Sequence, residues 1–176
     1  MPTPVGHTLA GLSIYFISGK KADSLRELWG FIPFFIATLA ADLDFIPGLI
    51  IGEPNIYHHG VTHSIFTSIF FAFIFSLIFG LNRVFRDRFL IFSSLFLSHI
   101  LLDYFSLDTG FPYGIPLFWP FSNKYFYPDM PVFLDIQRES VGNLLFSYHN
   151  WLAVLRELLI LGPVAVLSLI YNRKQR

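Results

Sequence analysis

His99 and Asp103 lie four apart inside the apolar run Phe89 to Leu107. On an α-helix that spacing leaves about 40° between side chains, so both project from one face. An imidazole and a carboxylate in apolar surroundings are costly to bury uncompensated. A divalent metal compensates both, because neutral His and ionised Asp are good ligands. A His–Asp hydrogen bond stapling two helices is the competing reading. Further candidates stand upstream: His7, the sequence Asp42-Leu43-Asp44, and the run His58-His59-Gly60-Val61-Thr62-His63. Asp42 and Asp44 would face nearly opposite ways on a regular helix. Both reach one site only if the helix unwinds, which Pro47-Gly48 permits, or one binds metal while the other orients a histidine. Gly60 is expected to hold His59 off the following helix, which leaves His58 as well placed to point inward.

The chain that must position these residues is strongly apolar, with 54% hydrophobic and 14% charged residues, 22 Phe and a mean hydropathy of +0.58. A soluble domain of this length needs far more charge at its surface. The composition therefore predicts an integral membrane protein forming a single domain over 1–176. With no cysteine, any metal rests on His and carboxylate alone. The formal net charge is zero, so no basic field points to nucleic acid, and none is expected as a partner. No basic segment precedes the first apolar stretch, and a cleavable signal peptide is not expected.

Apolar segments run over Thr3–Ser18, Trp29–Ile51, His63–Leu81, Phe89–Leu107 and Trp151–Tyr171. They predict an all-α fold, a polytopic transmembrane bundle of about five spans. The first is short for a crossing, which takes roughly 20 residues. Trp29 is an expected interfacial anchor, and Thr62 the expected N-cap of the third segment. Asp108 to Asn150, dense in Pro, Gly and aromatics, reads as an ordered interfacial cap with a short helix near Ser140–Phe146. Basic residues cluster in Lys20–Arg26, Arg83–Arg88 and Arg173–Arg176. Five spans put these on one side, so the N-terminus is expected outside and the C-terminus in the cytoplasm. His7, Asp42, Asp44, His58, His63, His99 and Asp103 then all fall at the outer end. Glu157 falls in the same half, as a ligand or as an ion partner of a neighbouring helix; Arg156 beside it is its expected partner or a phosphate contact. His149 reads as interfacial.

The motif order extends through Ser98-His99-Ile100-Leu101-Leu102-Asp103-Tyr104 and Gly114-Ile115-Pro116-Leu117-Phe118-Trp119-Pro120-Phe121-Ser122. In this order the motifs, over roughly residues 5 to 135, resemble the YdjM-like family of membrane-bound proteins, described as metal-dependent hydrolase-like and as LexA-binding inner-membrane proteins. The resemblance implies metal-binding character for His7, the Asp42/Asp44 pair, His58, His63, His99 and Asp103. Many members carry Arg in place of His59, which implies that His59 is dispensable, and Pro in place of Ala41. The ligand pattern is also similar to that of helical zinc-dependent phospholipase C enzymes, which implies phosphoesters as the substrate class.

The expectation is an inner-membrane, metal-dependent hydrolase acting on a phosphoester, such as a lipid head group, through one or two divalent ions, with Zn²⁺ the expected metal. His7, Asp42, His63, His99 and Asp103 would hold metal, and Asp44 or His58 would complete the ligand set or act as general base. Membrane lipids are the expected surroundings, and a protein partner fits the family resemblance. The alternative is a membrane scaffold or regulator with a structural metal site, which is closed by four protein ligands. A transporter would distribute ionisable groups through the membrane depth, and the cytoplasmic halves of these segments have almost none.

Overall fold

The structure, a computed structural model, describes residues 1–20, 23–24, 27, 29–51, 57–109, 113–137 and 147–175. Among these are six α-helices and no sheet: α1 (Pro4–Ile17), α2 (Ile32–Leu39), α3 (Phe45–Ile51), α4 (Ile65–Ile78), α5 (Phe85–Tyr104) and α6 (Tyr148–Lys174). Single 3-10 turns at Ala41–Asp44 and Val61–His63 precede α3 and α4. Helix α1 packs on α6, α2 and α5; α4 packs on α5, and α2 also lies on α5. Of the five expected segments, each is helical over at least part of its length. Among the described residues, however, only α6 is long and apolar enough to cross a membrane. Helices α1 and α4 have 14 residues each, short of the roughly 20 a crossing takes. Helix α5 reaches 20 residues but carries Arg86, Asp87, Arg88 and Asp103.

Helix α6 holds α1 at both ends, with the two chains running parallel. At one end the Glu157 carboxylate accepts from Thr3 N (2.6 Å), Gly6 N (2.9 Å) and the Thr3 hydroxyl, which satisfies donors that a helix N-terminus leaves unpaired. At the other, Asn172 Nδ2 donates to the Phe16 carbonyl at 2.6 Å. Two glycines allow the close approach: a Cβ on Gly6 would lie 2.9 Å from Glu157 Oε2, and one on Gly11 would lie 2.7 Å from Thr38 Cγ2 of α2. Glu157 therefore satisfies N-terminal donors of α1 beside its N-cap Thr3, while Arg156 is exposed.

A largely aromatic core of Tyr15, Phe34, Phe92 and Phe96, with Leu95, fills the bundle one to two helical turns from His99, on the side of the basic end. That end is tied by Lys20 Nζ to the Leu81 carbonyl (2.9 Å) and by Arg83 to the Ser18 carbonyl. At the opposite end the chain after α5 folds back as the cap. Leu107 N donates to Phe133 O, Ile115 and Phe126 pair through both backbone groups, and Ile65 N at the start of α4 donates to Leu117 O. Gly114 adopts φ 84°, and a Cβ there would sit 2.2 Å from Phe126 O, so the cap closes only with glycine at this position. The short helix expected at Ser140–Phe146 lies outside the described residues.

Two local expectations are corrected. Ser64, not Thr62, caps α4, accepting from Thr67 N at 3.1 Å, because Val61–His63 forms its own 3-10 turn first. Pro47-Gly48 does not break the second segment. The break comes earlier, at Ala41–Asp44, and Pro47 falls in the first turn of α3, where its missing N–H costs no intrahelical bond. The helix is thus wound tighter at the carboxylates rather than unwound.

Candidate metal centre

Four atoms from three elements converge at the cap end. Asp42 Oδ1 comes from the Ala41–Asp44 turn, His63 Nε2 from the Val61–His63 turn, and His99 Nε2 and Asp103 Oδ2 from one face of α5. His63 Nε2 lies 3.3 Å from His99 Nε2, 3.6 Å from Asp42 Oδ1 and 3.3 Å from Asp103 Oδ2. His99 Nε2 lies 3.5 Å from Asp42 Oδ1 and 2.9 Å from Asp103 Oδ2. A tetrahedral ion with bonds of ~2.0–2.1 Å has ligand–ligand edges of about 3.3–3.4 Å. The five observed edges bracket that value. The side chains of His63, His99 and Asp103 are fully buried and that of Asp42 is 15% exposed, with its Oδ1 buried in the cluster.

The neighbours of each ring decide which nitrogen is bare. His99 Nδ1 lies 2.6 Å from the Thr38 carbonyl, which only accepts, so Nδ1 carries a hydrogen and, in the neutral ring, Nε2 carries the lone pair. The Thr62 hydroxyl gives its hydrogen to Asp44 Oδ2 (2.9 Å) and so can only accept from His63 Nδ1 at 3.1 Å. His63 too presents a bare Nε2. Asp44 Oδ1 meets His58 Nδ1 at 3.1 Å, and Asp108 Oδ2, from the cap, meets His59 Nδ1 at 3.0 Å. Each of the four rings therefore turns Nδ1 to an oxygen and leaves Nε2 for a ligand role, the arrangement that fixes metal-binding histidines. Burial, more than the Asp44 hydrogen bond can offset, holds His58 down at about 3, and burial likewise lowers His59. Both rings are neutral at pH 7.

Among the described residues, seven of the nine buried side-chain atoms without a hydrogen-bond partner gather here: both nitrogens of His7, Asp42 Oδ1, both oxygens of Asp103, and Nε2 of His58 and His59; Arg88 Nε and Ser93 Oγ lie farther along α5. Two lone pairs facing each other at 3.3 Å between His63 and His99 repel, and the Asp42 and Asp103 charges are uncompensated while these rings stay neutral. One divalent cation removes both penalties, since its charge balances the two carboxylates. The donor set of two imidazoles and two carboxylates suits Zn²⁺, so the residues fit the metal that the sequence led us to expect. The competing account has protons on the rings in place of the ion.

The expected residues do not all take the expected places. His7 stacks on His99 with centroids 4.0 Å apart, and its Nε2 lies 3.5 Å from Asp103 Oδ1, beside the four-atom group rather than in it. Asp44, expected as ligand, as base or as the carboxylate that orients a histidine, has its two oxygens against His58, His63 and Thr62, the geometry of the orienting alternative. His59, expected to be dispensable, is 4% exposed, its ring tilted against His58 and edge-on to His63. His149 reaches Asp135 Oδ1 at 2.8 Å and ties α6 to the cap, away from the cluster. Glu139, a lesser ligand candidate of the Asp108–Asn150 region by its carboxylate alone, lies outside the described residues. Sequence reasoning missed Thr38 and Asp108. A backbone carbonyl carries no residue signal, and Asp108, nine residues from His99, marks no periodic pattern. Asp44→Asn is expected to weaken metal binding by about 10- to 100-fold, because it unsettles two rings while leaving every ligand atom in place. Competition with a chelating dye reads the change, and an unaltered affinity removes Asp44 from the orienting role.

No curated protein and no solved structure matches the chain. Compared with known protein families, residues 1–175 match the YdjM inner membrane protein family. The match takes in every element that places the cluster, from His7 on α1 to the clamp of α6, and the chain belongs to the YdjM inner membrane protein family.

Proposed function

We propose that the protein is a membrane-embedded, Zn²⁺-dependent hydrolase acting on a phosphoester at the non-cytoplasmic face, with all five apolar segments inserted, the N-terminus outside and the C-terminus in the cytoplasm. The observation that carries this reading is the close meeting of Asp42, His63, His99 and Asp103, with both Nε2 atoms turned inward on unpartnered carboxylate oxygens. An ion held there would supply a Lewis acid that lowers the pKa of water towards neutral and polarises a phosphoryl oxygen. The chain's own residues supply the rest. Thr38 and Asp44 hold the rings, and the aromatic core closes the site from the basic end. The cap presents Phe118, Phe121, Tyr125, Tyr127 and Met130 to the outside. Aromatic residues of this kind favour the head-group layer, which supports a lipid phosphoester as substrate. Basic ends of α5 and α6 opposite the site support the orientation. The two 14-residue helices would be accommodated by local thinning and, for α1, by the longer α6 packed on it.

The test is a phosphoesterase and phospholipase screen on purified protein, metal-loaded and chelated, beside His99→Ala. Turnover that needs both the ion and His99 is expected. Bound metal with no turnover on any phosphoester would instead make this a scaffold with a structural ion.

A further inference from the structure

We propose a second cation position beside the first, on the side of the cap, held by Nε2 of His58 and Nε2 of His59, with Asp108 as the residue that orients His59. The proposal deepens the hydrolase reading and rests on the cluster being a metal centre. His58 and His59 are 6% and 4% exposed, and both Nε2 atoms are buried with no hydrogen-bond partner among the described residues. Their rings lie 4.2 Å apart, and each sits about 5 Å from the ring of His63 (5.2 and 5.1 Å). One nitrogen from each of the three rings lies within 4.8 Å of the others. His63 adjoins both groups, so the two positions are neighbours, as in hydrolytic sites with a pair of ions.

Consecutive side chains normally diverge. Here His59 adopts φ 58°, a left-handed conformation uncommon outside glycine, and this turns both rings to the same place. Such a residue costs about 1 kcal/mol or more and persists where the surroundings enforce it. The enforcement is visible: Asp44 holds one ring, and Asp108, reaching across from the cap and also accepting from Gly114 N at 2.9 Å, holds the other. The chemistry of the two positions differs. The first has four protein ligands, so an ion there would take up water or a phosphoryl oxygen only by expanding to five-coordination. Two imidazoles alone leave several places for water and for a phosphate oxygen, so the second position would be the more open of the pair. The ligand would be a borderline divalent ion that accepts imidazole nitrogen, such as Zn²⁺ or Co²⁺.

The experiment is Zn²⁺ titration of the full chain in detergent after chelation, with bound metal counted by elemental analysis. Wild type is expected to take up two ions per chain in a tight and a weaker step. His59→Ala is expected to hold one, with the tight step unchanged, and Asp108→Asn to weaken only the weaker step, by about 10- to 100-fold. His59→Gln, compared by melting temperature, keeps the test usable if the alanine variant does not fold. One ion in wild type, or two retained in both His59 variants, overturns the second position and leaves the first standing. No ion in wild type overturns both positions and the hydrolase reading with them. Two ions without hydrolysis uphold the second position and overturn the hydrolase alone.

Discussion

Asp103→Asn is expected to release the tightly held ion and abolish hydrolysis while the bundle stays folded. Three imidazoles converge on this carboxylate: His99 Nε2 at 2.9 Å, His63 Nε2 at 3.3 Å and His7 Nε2 at 3.5 Å. Asparagine keeps the shape but removes the charge, and its amide nitrogen has no lone pair to offer a metal. Loss of a direct ligand should exceed the 10- to 100-fold that losing an orienting partner costs, so a drop of at least about 100-fold in affinity is expected. The measurement also separates the two accounts of the cluster. An ion that binds only the folded chain stabilises it by RT ln(1 + [L]/Kd), about 4 kcal/mol at a thousandfold excess over Kd. A chelator should therefore lower the melting temperature of wild type and leave Asp103→Asn unmoved. If protons rather than a metal hold the rings, chelation moves neither, and the metal centre is refuted.

Glu157→Ala is expected to be the most destabilising single change outside the cluster. It leaves Thr3 N, the Thr3 hydroxyl and Gly6 N without their acceptor at a buried helix end. Each unsatisfied buried donor costs about 1–3 kcal/mol, and partial rehydration brings the sum to roughly 3 kcal/mol or more. The first turn of α1 should fray, and His7, the residue after Gly6, should lose its stacking on His99. Glu157→Gln retains one accepting oxygen and should fall between alanine and wild type. Thermal unfolding in detergent reads the order. Equal melting temperatures for Glu157→Ala and wild type would show that α1 is anchored elsewhere, for instance by Asn172 at its other end.

The two predictions touch the parts of the molecule that the sequence discloses unequally. That His99 and Asp103 share a face follows from helical periodicity and needs no partner. So does the absence of thiolate chemistry, and so does the membrane character, which is a matter of composition. The gathering of ionisable residues at one end was likewise legible, because apolar segment lengths and basic connectors fix which ends lie together. The helix breaks were not. Pro47 reads as a breaker by local rules, but whether proline ends a helix or opens one depends on which turn it occupies, and the preceding carboxylates settle that by bending towards His58 and His63. Glu157 looked like a candidate ligand because a buried carboxylate near the site has the right chemistry. Only the parallel packing of α6 on α1 showed that backbone N–H groups satisfy it.

The sequence alone thus determined the all-α, apolar character of the chain and a short set of His and Asp able to bind metal, since periodicity, composition and ligand type are properties of single segments. The tertiary structure decided which of these residues meet and which nitrogen each ring presents. It placed Asp44 against His58, His63 and Thr62, in keeping with the ring-orienting alternative, and brought in Thr38 and Asp108. Ring orientation is set by hydrogen bonds between residues as far apart in the chain as Thr38 and His99, and no spacing within one segment encodes them.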